Sequence, residues 1–255
     1  MADFVFVHDA FQGGWVWRRA AAELAAAGHR VHAPSLTGCG ERAHLLPSLR
    51  GLSTCVADVA SLVFHENLSG AVAVAAGWGA FPAAAAAARL GGRIACLVLL
   101  DGFLPEAGAG YADLAGPDFA RSLEADPRDG LVAPPPPDAA VRCRALRGWY
   151  AVRQVPFPEK LFHESPTVAP GALPGRVVHL RSRGRTDEAA LRATQAARRL
   201  GLEQAVLEAG PLPMVTAPRG LAAALERIAR APARGRARRA PVPRPHGPRP
   251  RDSRL

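Results

Sequence analysis

The chain has 255 residues, enough for one α/β domain with an elaboration, and its 49% hydrophobic and 6% aromatic content predicts a core of Ala, Val and Leu. Its formal charge of +10 does not indicate a nucleic-acid-binding body, because residues 231–255 hold eight arginines against the single Asp252 and so carry about seven of those charges. All basic residues but Lys160 are arginines, a skew that is typical of a GC-rich genome.

The cysteine spacing and the N-terminus indicate a reduced, intracellular setting. The four cysteines lie far apart and show neither a C-x-x-C pair nor Cys/His metal spacing, so we expect reduced structural thiols, no metal and no cofactor. The first residues lack the basic region of a signal peptide, and no apolar run approaches the length of a membrane span. We therefore expect a cytoplasmic protein that binds neither nucleic acid nor membrane, and homodimerisation stays open.

Strands and helices alternate through the first hundred residues. Strands are predicted at 4–7, 31–33 and 94–100, and a strand with the turn that follows it at 71–80. Helices are predicted at 15–27, at 52–64 and from that turn to residue 90, and a long loop at 34–46. This rhythm predicts a parallel sheet that is covered by helices on both faces.

The periodicity weakens over residues 105–174, where four consecutive prolines and several aromatic residues predict a cap of short helices. The strand–helix rhythm then resumes, with strands at 177–180 and 205–207 and helices at 188–200 and 218–230. Residues 231–255 are rich in Pro and Arg without an apolar pattern, which predicts a disordered tail after a domain of residues 1–230.

Within residues 71–80 an apolar strand runs into a small-residue turn, and an alanine-rich helix leaves that turn. This is the layout of a nucleophile elbow, in which G-x-S-x-G presents a serine on a strained strand-to-helix turn. Gly77 stands where the serine would be, and residues 71–80 contain no hydroxyl or thiol.

Several further segments resemble the α/β-hydrolase superfamily, in the branch of small esterases, plant methyl esterases and hydroxynitrile lyases. They are the first strand with its Gly13-Gly14-Trp15 loop, the LTGCGERAHL segment at 36–45, the LLDGFLP segment at 99–105, and the MVTAP segment at 214–218. The resemblance implies an α/β-hydrolase fold over about residues 4–230. Fold alone does not establish activity, so the site is considered separately.

The resemblance also implies where a Ser-Asp-His triad would lie. The serine position is Gly77, the histidine position is Pro211, and the acid position is Gly184, with Asp187 as the alternative in a less certain register. Serine hydrolysis needs all three groups, so the sequence predicts that ester hydrolysis by a triad is lost.

In the loop after the first strand, Asp9 stands where esterases of the family have glycine. A carboxylate there would oppose oxyanion stabilisation but would suit a general acid or base, so Asp9 is the first catalytic candidate and His8 the second. The alternative for Asp9 is a structural role, capping a turn or pairing with an arginine. His8 matches a family residue that mostly packs the loop.

The predicted ligand pocket combines the turn with apolar side chains, and the backbone amide of Trp78 supplies the donor that relatives use in their oxyanion hole. Packing in the core or cap is the alternative for each side chain. The substrate-binding candidates are Ala10, Gly77, Trp78, Phe103, Trp149 and Met214.

Three functions remain open at this point. The first is a non-hydrolytic enzyme, a lyase, cyclase, dehydratase or isomerase, that acts on a hydrophobic small molecule in bacterial specialised metabolism such as an actinobacterial polyketide pathway. The second is a non-catalytic binder or pseudoenzyme that is derived from a carboxylesterase. The third is a decaying gene, which the basic tail favours and the intact loop motifs disfavour.

Overall fold

The computed structural model describes residues 1–123, 130–137, 141, 143–168 and 171–231. A parallel sheet of six strands forms the centre of this part of the chain. Its strands are β1 (Asp3–Val7), β2 (Arg30–His32), β3 (Ala71–Ala76), β4 (Ile94–Leu100), β7 (Arg176–Ser182) and β8 (Glu203–Leu207). The two strands between β4 and β7 in the chain form a separate ribbon. The ribbon pairs β5 (Leu131–Val132) with β6 (Phe157–Pro158) in antiparallel orientation.

The strand order β2-β1-β3-β4-β7-β8 turns back between β1 and β3. The chain leaves β1 toward one edge and leaves β3 toward the other, which opens a crevice at the carboxyl ends of these two strands. Val7 pairs with Ala75, so the residues that follow the two strands, Asp9 and Gly77, lie side by side at that crevice.

Alternation along the strands produces a separate core on each face of the sheet. In β3, Val72 and Val74 pack with helices α1 (Arg18–Ala26) and α10 (Pro218–Arg230), whereas Ala73 and Ala75 face the other side. That other side is covered by α2 (Leu52–His65), α3 (Ala80–Leu90) and α8 (Glu188–Arg199). The alternating strands and helices therefore follow the predicted parallel, doubly covered layout.

Local differences from the predicted elements lie at their ends. The helix expected from residue 15 begins as a 3₁₀ turn, Gly14–Trp17, before α1. The loop expected at 34–46 contains a 3₁₀ helix, Gly40–Ser48, so the loop assignment was wrong there. Pro47 inside this helix and the absence of any fully buried side chain explain why it shows no helical apolar pattern.

Between β4 and β7 the chain forms short helices over the carboxyl ends of the strands. They are α4 (Tyr111–Ala115), α5 (Pro117–Leu123), α6 (Arg144–Ala151) and α7 (Lys160–His163). Trp78 Nε1 donates to the Leu161 carbonyl at 2.9 Å, and Val155 N donates to the Phe11 carbonyl at 3.0 Å. These bonds attach the segment to the loops after β3 and β1. The division into a cap at 105–174 and a body remains a prediction.

A short helix α9 (Pro213–Thr216) follows β8 and precedes α10. Of the predicted tail at 231–255, all residues after 231 lie outside the described residues. Within the described ranges, no helix combines the length and apolarity that crossing a membrane requires.

Candidate functional site

Gly77 forms the sharp turn between β3 and α3. Its φ is +48°, in the left-handed region, while Ala76 before it is extended and α3 begins at Ala80. The carbonyl of His8 packs against this turn, because a Cβ at position 79 would lie 2.3 Å from that oxygen. The turn therefore has the geometry of a nucleophile elbow, with a residue at its apex that carries no side chain.

The Asp9 carboxylate accepts the two backbone donors that surround this apex. Asp9 Oδ1 accepts from Trp78 N at 2.7 Å and from Ala10 N at 2.8 Å. In α/β-hydrolases the amide after the nucleophile and an amide of a neighbouring loop form the oxyanion hole. The carboxylate of Asp9 thus occupies the position in which such an enzyme binds its oxyanion.

Asp9 also fills the space of the missing side chain at position 77. A Cβ atom there would lie 2.2 Å from Asp9 Oδ2 and 2.4 Å from Oδ1, well inside van der Waals contact. A side chain at position 77 and this conformation of Asp9 are consequently incompatible. The glycine and the aspartate are two parts of one arrangement.

Burial and nearby charge act on Asp9 in opposite directions. Desolvation raises the pKa of the Asp9 carboxyl above its usual range, while the Arg185 guanidinium and the amides of Trp78 and Ala10 oppose that rise. Oδ2 receives no hydrogen bond within the described part of the chain. One oxygen is therefore fixed, and the other has no hydrogen-bond partner among the described residues.

A cavity of about 650 Å³ lies beside Asp9. Five aromatic side chains contribute to its wall, namely Phe11, Tyr111, Phe119, Tyr150 and Phe162. A volume of this size suits a small organic ligand, and mostly apolar walls with a few polar groups are typical of ligand sites.

A second space of about 30 Å³ lies behind Gly77 and shares Asp9, Gln12, Arg185 and Leu212 with the large cavity. Gln12 links the two sides of the site. Its Nε2 donates to the Tyr150 hydroxyl at 2.9 Å, and its Oε1 accepts from the Asp9 amide at 3.3 Å. The Asp9 loop is thereby held against α6.

Arg185 lines both spaces from the loop after β7. Its Nε donates to Asp187 Oδ2 at 2.8 Å, and 26% of its side chain is exposed. Asp187 also caps α8, since its Oδ1 accepts from the Ala190 amide at 3.0 Å. The ion pair restrains the Arg185 side chain, and it lowers the pKa of the Asp187 carboxyl below its usual value.

Three residues around the site have positive φ without being glycine. They are Phe11 at +65°, Asp101 at +51° and Leu212 at +51°. Such conformations cost about 1–3 kcal/mol each and collect at ligand sites. Here they follow β1, β4 and β8, at the same edge of the sheet as Gly77.

The structure places His8 in the loop rather than in the cavity. Its Nδ1 donates to the Asp9 carbonyl at 2.8 Å, its Nε2 accepts from the Leu36 amide at 3.0 Å, and its side chain is fully buried. Burial lowers the pKa of His8 to about 4. The neutral imidazole thus fixes the loop that carries Asp9.

Of the predicted pocket residues, Ala10 lines the large cavity, and Gly77 and Met214 line the small one. Trp78 and Phe103 are buried, Trp78 packing edge-on against Phe157 at 4.8 Å and Phe103 against Tyr111 at 5.5 Å. Trp149 packs edge-on against Trp15 at 5.2 Å and carries the Arg153 guanidinium on its ring. Phe103 thus packs behind Tyr111 of the cavity wall, and Trp78, Phe103 and Trp149 are not among the residues that line the cavity.

The other two predicted triad positions meet on neighbouring loops. Gly184 N donates to the Ala209 carbonyl at 2.9 Å, and a Cβ at position 184 would lie 3.0 Å from Gly210 Cα. Pro211 lines the large cavity. The loops after β7 and β8 therefore reach the site, and they present neither an imidazole nor a carboxylate at these two positions.

Arg185, Tyr111, Gln12 and Phe11 are cavity residues that sequence reasoning missed. Arg185 is one of three arginines at alternate positions in 181–185, so no local pattern distinguishes it. For Tyr111, the signal available was a lone aromatic residue in a segment of weak periodicity. Only the folded chain brings these residues to Asp9.

Comparison with known proteins identifies the architecture. The model of the alpha/beta hydrolase family matches residues 4–247. The carbendazim hydrolyzing esterase of Nocardioides sp. (strain SG-4G) is 43% identical over 108 residues, 42% of this chain and 45% of that protein. A probable esterase of Oryza sativa subsp. indica is 34% identical over 127 residues, 48% of this chain and 47% of that protein. The chain spans about half the length of the curated relatives that it matches.

Solved structures of low sequence identity share the fold. An extracellular alpha/beta-hydrolase from a Paenibacillus species has a TM-score of 0.80 at 17% identity, covering 91% of this chain and 100% of that chain. Tomato methylketone synthase I, complexed with 2-tridecanone, has a TM-score of 0.73 at 16% identity, covering 89% of this chain and 97% of that chain. The predicted α/β-hydrolase fold is confirmed, and because the family model spans nearly the whole chain, this protein belongs to the alpha/beta hydrolase family.

Proposed function

We propose that this protein is a non-hydrolytic acid–base enzyme in which Asp9 moves a proton on a hydrophobic carbonyl compound. The observation that carries the proposal is the position of the Asp9 carboxylate, with Oδ1 on the amides of Trp78 and Ala10 and Oδ2 in the space that a side chain at position 77 would occupy. A lyase, cyclase, dehydratase or isomerase needs such a group and needs no covalent intermediate.

The esterase names of the sequence relatives make hydrolysis the competing expectation. Acyl transfer requires a nucleophile, a base, and free donors for the tetrahedral oxyanion. Gly77 offers no nucleophile, Pro211 offers no base, and the Asp9 carboxylate takes up the two donors. These three features together support the loss of ester hydrolysis.

Asp9 has the properties of a positioned base. The two amides fix Oδ1, so the free oxygen Oδ2 is held in one orientation beside the cavity. Burial raises the pKa of the carboxyl, which makes its ionised form a stronger base than an exposed aspartate. Tomato methylketone synthase I, which has this fold, has been crystallised with 2-tridecanone and, as a variant, with beta-ketoheptanoate. A long-chain ketone therefore illustrates the ligand class proposed here.

The second candidate is a non-catalytic binder, and the same bonds favour it. A carboxylate that satisfies the oxyanion donors of its own chain stabilises the loop, whether or not it moves a proton. In a binder, Asp9→Asn leaves ligand affinity unchanged and there is no turnover to lose. In the proposed enzyme the same substitution removes turnover.

The test uses 5-nitrobenzisoxazole, whose ring opens when a base removes its C3 proton and the N–O bond breaks to give a coloured phenolate. We expect saturable turnover by the native protein and a loss of about 100-fold or more in Asp9→Asn. Because the base works when ionised, the rate should rise with pH around a midpoint above 3.8, the ordinary value for aspartate.

Asp118→Asn is the matched control, since Asp118 lines the same cavity but is 69% exposed and pairs with Arg121. It should retain native turnover. Equal rates for the native protein and Asp9→Asn would refute the proposal. Covalent labelling by a serine-directed phosphonate, together with hydrolysis of a p-nitrophenyl ester, would replace it with the esterase function.

A further inference from the structure

Proton removal next to a carbonyl places negative charge on the carbonyl oxygen, and that charge needs a donor. In α/β-hydrolases the backbone amides supply it. Here the amides of Trp78 and Ala10 already bind Asp9 Oδ1. Stabilisation of a substrate oxyanion must therefore come from side chains.

Arg185 is the only basic side chain among the described residues that line the large cavity. Its Nε is engaged by Asp187 at 2.8 Å, and its two terminal nitrogens make no hydrogen bond within the described part of the chain. About three quarters of the side chain is buried, since 26% is exposed. The Nη1–Nη2 edge of the guanidinium is thus a charged donor pair that has no acceptor among the described residues.

Two phenols add neutral donors to the same cavity. The Tyr111 hydroxyl makes no hydrogen bond with a described residue although only 4% of the residue is exposed. The Tyr150 hydroxyl accepts from Gln12, which leaves its own proton free to donate. Burial raises the pKa of both phenols, so they keep these protons at neutral pH.

We propose that Arg185, assisted by Tyr111, is the oxyanion site of this protein and binds the enolate oxygen of a carbonyl substrate. This inference rests on the proposed function and names its substrate class: an apolar molecule with a 1,3-dicarbonyl group. In the step, Asp9 Oδ2 takes the proton from the carbon between the carbonyls. The C–H electron pair forms the C=C bond of the enolate, and the carbonyl π pair moves to the oxygen that Arg185 holds.

The 1,3-dicarbonyl class follows from matching the acidity of the substrate carbon to the basicity of the Asp9 carboxylate. A carboxylate is a weak base even when burial raises its pKa, so it needs a carbon acid that two carbonyls activate. The resulting enolate is planar and spreads its charge over two oxygens, which suits the planar donor fork of an arginine. The aromatic wall of Phe11, Phe119 and Phe162 fits the apolar remainder of such a molecule.

The experiment compares two ligands of nearly the same shape by calorimetry or fluorescence. 4-Hydroxycoumarin is a vinylogous acid that is an enolate at neutral pH, and coumarin lacks the ionised oxygen. We expect the native protein to bind 4-hydroxycoumarin at least about tenfold more tightly than coumarin, a difference of ~1.4 kcal/mol. Arg185→Gln should abolish that preference while leaving coumarin binding intact.

Arg183→Gln is the matched control, because Arg183 stands two residues away, is 62% exposed and pairs with Glu208. It should keep the preference in full. Arg185→Lys retains the charge without the fork and should keep only part of it. A preference that survives in Arg185→Gln, or none in the native protein, would overturn the inference.

Asp9→Asn separates this inference from the proposed function. It should lose turnover of 5-nitrobenzisoxazole but retain or strengthen binding of 4-hydroxycoumarin, because a neighbouring negative charge is removed. If Asp9→Asn keeps native turnover while the preference for 4-hydroxycoumarin over coumarin still depends on Arg185, Asp9 is not the base but Arg185 is still the anion site. If Asp9→Asn loses turnover but Arg185→Gln keeps the preference for 4-hydroxycoumarin, only the assignment of Arg185 as the anion site is refuted.

Discussion

Replacing Gly77 by alanine should destabilise the protein much more than the same replacement at Gly70. Both glycines have positive φ, +48° and +69°, so each alanine incurs the left-handed penalty of ~1–2 kcal/mol. Only at position 77 does the new Cβ meet a neighbour, Asp9 Oδ2 at 2.2 Å, whereas nothing lies within 4 Å at position 70. Gly70→Ala therefore measures the backbone penalty by itself.

The excess at position 77 comes from displacing a fixed carboxylate. Asp9 Oδ1 accepts hydrogen bonds from the amides of Trp78 and Ala10, so the carboxylate cannot move aside without breaking them. Crowding a packed site costs ~1–3 kcal/mol. Together with the backbone penalty we expect Gly77→Ala to lower the free energy of unfolding by ~2–5 kcal/mol.

A double-mutant cycle isolates the contact. In an Asp9→Ala background the crowding atoms are gone, so Gly77→Ala should cost no more than Gly70→Ala, and the coupling energy between positions 9 and 77 should be ~1–3 kcal/mol. The free energies come from urea unfolding followed by tryptophan fluorescence. If the effects of Asp9→Ala and Gly77→Ala on the free energy of unfolding add to within ~0.5 kcal/mol, the steric conflict between Asp9 and a side chain at position 77 is refuted.

Two further predictions concern buried titratable groups. Burial lowers the pKa of His8 from 6.5 to about 4, so between these two pH values only the unfolded chain takes up the proton. The free energy of unfolding should therefore fall by ~3 kcal/mol in total as the pH drops from 6.5 to about 4. His8→Gln should flatten this part of the pH profile of stability, measured by urea unfolding. A profile for His8→Gln as steep as the native one would contradict the assignment. Among the cysteines, Cys143 is exposed, whereas Cys39, Cys55 and Cys96 are buried and burial raises their thiol pKa, to about 12 for Cys39 and about 11 for Cys96. A thiol reagent at neutral pH should label Cys143 alone until denaturant is added, and labelling of a second thiol in the native protein would count against this packing.

The sheet could be predicted from the sequence because strand and helix signals alternate regularly and the central strands β3 and β4 are continuously apolar. The elbow was equally accessible, since a buried strand, a small-residue turn and an alanine-rich helix meet at Gly77. The 3₁₀ helix Gly40–Ser48 was missed, because it contains Pro47 and buries no residue fully. The hydrophobic periodicity of the sequence therefore does not reveal this 3₁₀ helix.

The position of Asp9 was predictable and its conformation was not. Its place in the loop after β1 brings it to the crevice, but the direction of its carboxylate depends on two amides, one of them 69 residues away. The same limit applies to Arg185, whose role depends on a cavity wall assembled from distant loops. Sequence patterns locate elements, whereas the chemistry of this site depends on which way individual side chains point.

The three features at the crevice are physically connected. An aspartate at position 9 can bind the amides of Trp78 and Ala10 only if position 77 has no side chain, because the two would overlap. Once those amides are taken, a substrate oxyanion has no backbone donor there, and a cation at another loop becomes necessary for chemistry that builds up negative charge. We propose that Arg185, which lines the cavity from the loop after β7, meets that need. We therefore propose that the missing nucleophile, the carboxylate in its place and the guanidinium edge of Arg185 belong to one change in the chemistry of the site, and the cycle between positions 9 and 77 tests its first step.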